Sequence, residues 1–397
     1  MPSVLRGGTM KKLFECVDKR AQQHKQLLKD IVCMESYTPD KAAVDAVGAY
    51  LADFAERQGF HVTTVPFEKA GNGLLITYNE QAKLPPIVFT GHLDTVFPVG
   101  TFKEPLFREE DGKYYGPGVT DMKGGLVMGL LAMCALKDAG YTDRPLKFIM
   151  IGDEELSEGL SGEAGKDFIR NNARGSAAAI TLEGDTDPTK VTVGRKGSIR
   201  YKVFIKGLAA HAGTNYADGI SAIKEAAQKI LAIEAPSDQA QITYNCGLIT
   251  GGTSPNTVPG EAMFTLYNRY WELSQRQEIR DHVEGIIAKS FIPGTSATFE
   301  VVGERLPMDA TEGNYALAAH IDMVAQKHGF DPIAPQKRSS GSDASYTAMA
   351  GVPSVCSMGP TGGRYHSTEE FMIADSLISR AKLLAAIVAE LPADFGT

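Results

Sequence analysis

The sequence predicts an α/β protein: a mixed, largely parallel sheet domain with a smaller α+β domain inserted into it. Three observations lead there. The chain has 397 residues, more than one hydrophobic core usually serves. Short β-like runs alternate with helical stretches at both ends of the chain, the signature of a sheet with parallel content. Between them the order changes to β-α-β-β-α-β, a ferredoxin-like split βαβ pattern. The expected domains are therefore 1–190, 191–307 and 308–397, the first and last forming one domain and the middle one inserted.

Helical spacing runs from about Lys12 to Met34 and from Asp40 to Gln58, the latter closed by Gly59. Strands follow at His61–Val65, Leu74–Tyr78, Ile87–Thr90, Leu146–Ile151 and Ala177–Leu182, with a helix over Gly124–Lys137. In the insert, Thr192–Lys206 alternates as one strand would. A helix at Ile220–Ile233, strands at Gln241–Ile249 and Ala262–Tyr267, a helix at Leu273–Ser290 and a strand at Ala297–Val302 complete it. The α/β character returns with helices at Tyr315–His328 and Ser345–Met349, a strand at Val352–Ser357 and a last helix from Ser376 to Leu391.

Hydrophobic residues make up 43% and charged residues 22% of the chain, ordinary for a globular protein. No apolar run approaches the ~20 residues that span a bilayer, so no membrane partner is expected. A net charge of -8 without a Lys/Arg cluster argues against nucleic acid. Five scattered cysteines (Cys16, Cys33, Cys134, Cys246, Cys356) suit a reducing compartment. Acids within Leu13–Asp18 break any signal-peptide core, which makes the cytoplasm the expected location.

The chemistry-bearing residues gather where strands end. Strand Ile87–Thr90 runs into Gly91-His92-Leu93-Asp94-Thr95. A His-x-Asp there puts both side chains on one face, a spacing that suits a metal-bound imidazole held by a carboxylate. Gly116–Gly125 delivers Asp121 just before a helix, where an N-cap is the plain alternative; it lacks a complete phosphate-loop pattern. Strand Phe148–Ile151 ends in Asp153-Glu154-Glu155, three acids that repel unless a cation lies among them. Glu183 ends another strand, and His366 stands in a loop before the last helix. His24, His61, His282, His320 and His328 read as surface or core residues. Imidazole and carboxylate without cysteine suit Zn2+, with Co2+ or Mn2+ as alternatives. A bridging Asp would hold two ions about 3.5 Å apart.

These segments, with Gly118–Gly125 and Tyr365-His366-Ser367, resemble the zinc exopeptidase family of aminoacylases, succinyl-diaminopimelate desuccinylases, peptidase T and glutamate carboxypeptidases. The resemblance runs in order from about Ala21 to the last helix. Gly91–Gly140 and Ser340–Ala344 look most like the glutamate carboxypeptidase (carboxypeptidase G) branch. The resemblance implies two divalent ions per chain: His92 and Glu183 on one, Glu155 and His366 on the other, Asp121 bridging. Glu154 would be the general base toward a metal-bound water, and Asp94 would orient His92. The Asp121–Met122 peptide would be cis. The insert would be a lid and homodimerisation domain, with His211 reaching a substrate carbonyl, usually in the neighbouring subunit. Asn256 and Arg269 would contact substrate, Arg269 through a carboxylate. Gly184 and Tyr267 depart from the family pattern, where a Pro and an acid are frequent. The implied activity is cleavage of an amide bond next to a free C-terminal carboxylate, on a small-molecule or short-peptide substrate. An N-acyl amino-acid deacylase and a catalytically silent binding protein are the alternatives.

Overall fold

A computed structural model of the protein describes residues 7–156 and 159–396. Its first helix, α1 (Gly7–Val32), buries Leu13, Val17, Leu28 and Ile31 along one stripe. In α2 (Lys41–Arg57), the Asp40 carboxylate caps the Ala43 N–H at 3.1 Å, and Val44, Val47, Leu51 and Phe54 face inward. The strands β1 (His61–Val65), β2 (Gly71–Tyr78) and β3 (Ile87–His92) follow, then a hairpin, β4 (Arg108–Glu110) and β5 (Lys113–Tyr115). The hairpin carries no apolar alternation, which hid it in the sequence. Next, α3 (Lys123–Ala139) is buried almost all round, as expected of a helix apolar on every side. It packs against α1 and β3. A Cβ on Gly125 would stand 2.0 Å from the Leu182 carbonyl oxygen; only glycine lets α3 lie this close to the end of the neighbouring strand.

The chain continues through β6 (Leu146–Gly152), α4 (Gly162–Ala173), β7 (Ala178–Thr181) and β8 (Lys190–Arg195). Sequence periodicity ran one strand from Thr192 to Lys206; the structure breaks it at Lys196, whose N–H donates to Arg338 O at 3.1 Å. The second strand, β9 (Gly197–Lys206), starts afresh there. At this break the chain passes from one compact unit to another: the first comprises the residues up to Gly194, Ala310–Lys337 and the residues from Ser342 on, and the second Arg195–Asp309 with Arg338–Gly341.

The second unit contains β9, β10 (Ala210–His211), α5 (Ala222–Glu234), β11 (Thr243–Gly251), β12 (Thr257–Val258), β13 (Glu261–Tyr270), α6 (Gln275–Ala288) and β14 (Ser296–Arg305). Its main sheet has the order β11-β13-β9-β14, antiparallel throughout. Ile199, Tyr201, Val203 and Ile205 of β9, with Phe264 and Leu266 of β13, pack on Ala226 of α5 and on Ile279 and Val283 of α6. Period two then sends Arg200, Lys202, Tyr267 and Arg269 to the opposite face. The Lys229–Glu225 pair is buried at 2.9 Å. Lys229 donates to the carbonyls of Ile286, Ile287 and Lys289 at the end of α6, and Glu225 accepts from Phe291 and Ile292, so both charges are satisfied.

The remainder of the first unit is α7 (Glu312–Lys327), β15 (Ala334–Arg338, paired with β8), α8 (Ala344–Met349), β16 (Ser354–Val355), β17 (Gly362–Gly363), β18 (Phe371–Ile373) and α9 (Ala374–Ala389). The central sheet has the order β1-β2-β6-β3-β7-β16. Its pairings β6–β3, β3–β7 and β7–β16 are parallel, whereas β1–β2 and β2–β6 are antiparallel. The sheet is thus mixed, parallel where β6, β3 and β7 lie side by side. Those three strands point the same way, so the residues after them meet at one edge of the sheet. Among the described residues no helix is long and apolar enough to cross a membrane.

Candidate metal centre

His92 ends β3, Glu155 follows β6, Glu183 follows β7, Asp121 stands in the turn before α3, and His366 lies between β17 and β18. The structure brings all five together. His92 Nε2 is 3.1 Å from Asp121 Oδ1 and 3.7 Å from Glu183 Oε1. His366 Nε2 is 3.4 Å from Asp121 Oδ2 and 3.3 Å from Glu155 Oε2. Two groups result, His92–Asp121–Glu183 and Asp121–Glu155–His366, each with donor atoms within 4.8 Å of one another. Asp121 belongs to both, one oxygen to each. One half is deep and the other open, since the His92 side chain is 1% exposed and that of His366 55%.

Asp121 does not cap α3: Met122 holds the N-cap position, and the Asp121–Met122 peptide is cis. Of the three consecutive acids, Asp153 turns away, its Oδ2 accepting the Ser161 N–H at 2.6 Å. Asp94 is fully buried beside His92. His92 Nδ1 is 3.0 Å from the Asp94 carbonyl oxygen and 3.4 Å from its Oδ1. The same carboxylate accepts the N–H groups of Glu154 and Glu155, both at 3.2 Å, and the Thr38 hydroxyl at 2.8 Å. One side chain therefore sets the imidazole and the backbone under the two glutamates. Sequence reasoning missed Thr38, whose spacing from these residues carries no signal, and Glu370, whose carboxylate accepts from the N–H groups of Gly118, Thr120 and Asp121.

Electrostatics show what the donors want. Burial pulls His92 down, but Glu183 and the bonds to Asp121 and Asp94 outweigh it and hold the imidazole well above its ordinary range. Bonds to Asp121 and Glu155 push His366 up to about 10. Burial and the Asp121 charge push Glu155 up to about 8. Burial also works against the Asp121 anion, yet its bonds to His366 and His92 keep it below the usual carboxylate range. Protons on the imidazoles thus do the work of cations between clustered carboxylates. Each group offers one imidazole nitrogen and two carboxylates, a donor set that fits a divalent ion of the zinc type.

A pH dependence follows. His366 moves from an ordinary 6.5 to about 10 and Glu155 from 4.5 to about 8, so the folded, metal-free protein holds protons the unfolded chain has lost. The stability these two groups contribute is full below those ordinary values and is lost as pH rises through about 8 and then about 10. Bound metal replaces the protons and removes the loss. Melting temperature followed across this window in chelator and in zinc should fall in the first series and stay level in the second.

In the second unit, His211 and Asn256 are neighbours. His211 pairs with Thr257 across β10 and β12, and the Ala212 N–H donates to Asn256 O at 2.8 Å. The N–H groups of Gly213 and Thr214 donate to His211 Nδ1 at 3.2 and 3.0 Å; a neutral ring then carries its hydrogen on Nε2. The Ser254 hydroxyl donates to Asn256 Oδ1, leaving its NH2 as the group presented. Arg269 is elsewhere. Gly207 and Gly260 join at the end of the sheet that leads to His211, whereas Arg269 is seven positions along β13 from Ala262, about 23 Å at the usual rise per residue. It stacks on Tyr267 at 4.9 Å and donates to Ser339 O at 2.9 Å. Within the unit, Arg269 and Asn256 are not brought together. Arg305 lies on the same face as Arg269, both directly opposite Ser198, an alignment invisible without the register.

The chain matches the description of peptidase family M20/M25/M40 over residues 88–390, from β3 through both units to the end of α9. The chain belongs to that family. It is a metal-dependent hydrolase of amide bonds, with donor groups for two divalent ions, zinc with cobalt or manganese as alternatives. Among its M20 relatives, it is 26% identical over 381 residues to carboxypeptidase G2 of a Pseudomonas species, covering 94% of this chain and 90% of that protein. It is also 26% identical over 393 residues to succinyl-diaminopimelate desuccinylase of Gluconacetobacter diazotrophicus, covering 92% and 96%. Equal identity to two branches means that neither is singled out, so the resemblance to the carboxypeptidase G branch does not extend to membership of it. The fold is shared with aminopeptidase PepT of Bacillus cereus, at TM-score 0.76, 23% identity and coverage of 93% and 98%. It is shared too with the Bacillus subtilis YXEP protein, a dinuclear metal-binding peptidase of the M20 family, at TM-score 0.70, 17% identity and coverage of 94% and 98%.

Proposed function

We propose that this protein is a carboxypeptidase of the glutamate carboxypeptidase type, cleaving an amide bond next to a free C-terminal carboxylate. The observation that carries the two-ion hydrolase in this reading is Asp121, whose two oxygens face two different histidines; the resemblance to the glutamate carboxypeptidase branch supports the substrate class. His92, Asp121 and Glu183 would hold one ion, and Asp121, Glu155 and His366 the other. Bound there, two divalent ions would polarise the scissile carbonyl and make a water acidic near neutral pH. Glu154 takes the proton of the attacking water and returns it to the leaving nitrogen. Asp94 keeps His92 Nε2 turned toward Asp121 and fixes the backbone from which Glu154 and Glu155 project.

His211 donates through Nε2–H to the developing oxyanion, with the Asn256 amide beside it. The separation of these two from Arg269 supports a homodimer in which His211 and Asn256 serve the partner's site. The surface agrees: Leu231 of α5 and Leu248 of the edge strand β11 are 68% and 67% exposed, and an edge strand with apolar side chains invites pairing. The element order and strand order of this unit support a ferredoxin-like lid, and five free cysteines support a cytoplasmic location. The desuccinylase relative supports a second reading, N-acyl amino-acid deacylation, which the same residues would perform.

Arg269 provides the test of substrate class. A guanidinium clasps a carboxylate through two parallel bonds that a lysine cannot reproduce, and Arg305 adds charge on the same sheet face. Arg269→Lys should lower kcat/KM for N-acyl glutamate or a dipeptide by roughly 10-fold or more, the worth of a charged hydrogen bond, with metal content unchanged. Wild-type enzyme should prefer the free acid over its C-terminal amide by a similar factor. Equal cleavage of acid and amide would sink the carboxylate clamp; a preference for N-acyl amino acids over dipeptides would favour the deacylase.

A further inference from the structure

The bridging residue Asp121 stands in a turn rather than on a strand or helix, so something else must hold it to the tolerance a shared ligand needs. Three amides on its approach converge on one side chain. Glu370 Oε1 accepts the N–H groups of Thr120 at 2.8 Å and Asp121 at 2.9 Å, and Oε2 accepts that of Gly118 at 3.2 Å. Glu370 is fully buried, whereas the adjacent Glu369 is exposed. The Thr120 hydroxyl adds a fourth tie, donating to Phe371 O at 2.6 Å. Glu370 is also four residues beyond His366, the imidazole that faces Asp121 Oδ2. One short segment thus supplies a donor to the open half of the centre and grips the backbone beneath the carboxylate that half shares. A tie between loops needs no charge. A carboxylate buried beside another is favourable where cations lie across the second one, and such outer partners are what orient metal-binding side chains.

We propose that Glu370 is a positioning residue of the metal centre. It locks the Gly118–Asp121 turn to the His366 segment and thereby sets the affinity of the Asp121–Glu155–His366 half. The inference rests on the metal-ligand reading given above.

The test is a titration of the metal-free protein with Zn2+ and with Co2+, comparing wild type with Glu370→Gln and Glu370→Asp. The amide of Gln turns a donor toward backbone donors, and the shorter Asp cannot span all three. Wild type should bind two ions. In both variants the weaker ion should shift by roughly 10–100-fold, the usual effect of an outer partner, with a smaller shift of the tighter ion. The Co2+ absorption spectrum should change, and excess metal should restore kcat. A lower melting temperature with wild-type midpoints and an unchanged Co2+ spectrum would make Glu370 merely structural and overturn the proposal. Should both variants fail to fold without metal, Thr120→Val removes the hydroxyl tie alone. It should shift the weaker ion in the same direction by less, and wild-type midpoints there would overturn the proposal. A wild-type protein that binds at most one ion would instead overturn the ligand reading, and the proposal with it.

Discussion

Glu154→Gln should keep both metal ions and lose at least ~10²-fold in kcat, the low end for a general base. Its neighbour should behave in the opposite way: Glu155→Gln should lose the ion shared with His366. The contrast is sharp because Asp94 accepts from the backbone N–H groups of both residues, bonds that neither substitution removes. Glu155 Oε2 faces His366 Nε2 at 3.3 Å, and removing its charge removes a donor. Elemental analysis beside steady-state kinetics checks both. Near-normal turnover in Glu154→Gln, or two ions retained in Glu155→Gln, would reverse the assignment of roles along Asp153–Glu155.

His211→Ala should cost roughly 10²–10³-fold in kcat, the worth of one oxyanion donor. Its tautomer makes the prediction specific: with Nδ1 accepting two backbone N–H groups, a neutral ring can only donate through Nε2. If His211 acts across a dimer, mixing His211→Ala with Glu154→Gln subunits should restore one working site per mixed dimer. Mixing Arg269→Lys with Glu154→Gln should restore none if Arg269, about 23 Å along the sheet from the His211 end, acts within its own subunit. The measurement is activity of tagged, purified mixed dimers. Recovery with Arg269→Lys but not with His211→Ala would exchange the two assignments.

The local signals in this chain were strong where one physical rule acted alone. Asp40 before an apolar three-and-four stripe marks α2, and the Val-Phe-Thr run marks β3; the structure has both within a residue or two of the expected ends. Where two rules competed, periodicity misled. Alternation carried Thr192–Lys206 through as one strand, but Lys196 bonds Arg338 and the chain changes unit there. The β4–β5 hairpin was hidden because its short strands, Arg-Glu-Glu and Lys-Tyr-Tyr, carry no period.

Residue chemistry and order put His92, Asp121, Glu155, Glu183 and His366 among the candidate metal ligands, because they follow strands or sit in turns beside other acids that repel without a cation; the family resemblance then picked these five from their acidic neighbours. What only the tertiary structure decided is how these residues are held. Parallel β6, β3 and β7 bring three of the segments to one edge, and Gly125 lets α3 lie against the Leu182 carbonyl. Hydrogen bonds over long sequence separations, from Thr38 to Asp94 and from Glu370 to Asp121, fix the geometry. The same holds for Arg305 opposite Ser198 and for the distance between Arg269 and Asn256, which depend on strand register. Register and long-range hydrogen bonds are properties of paired segments, and no single segment of sequence encodes them.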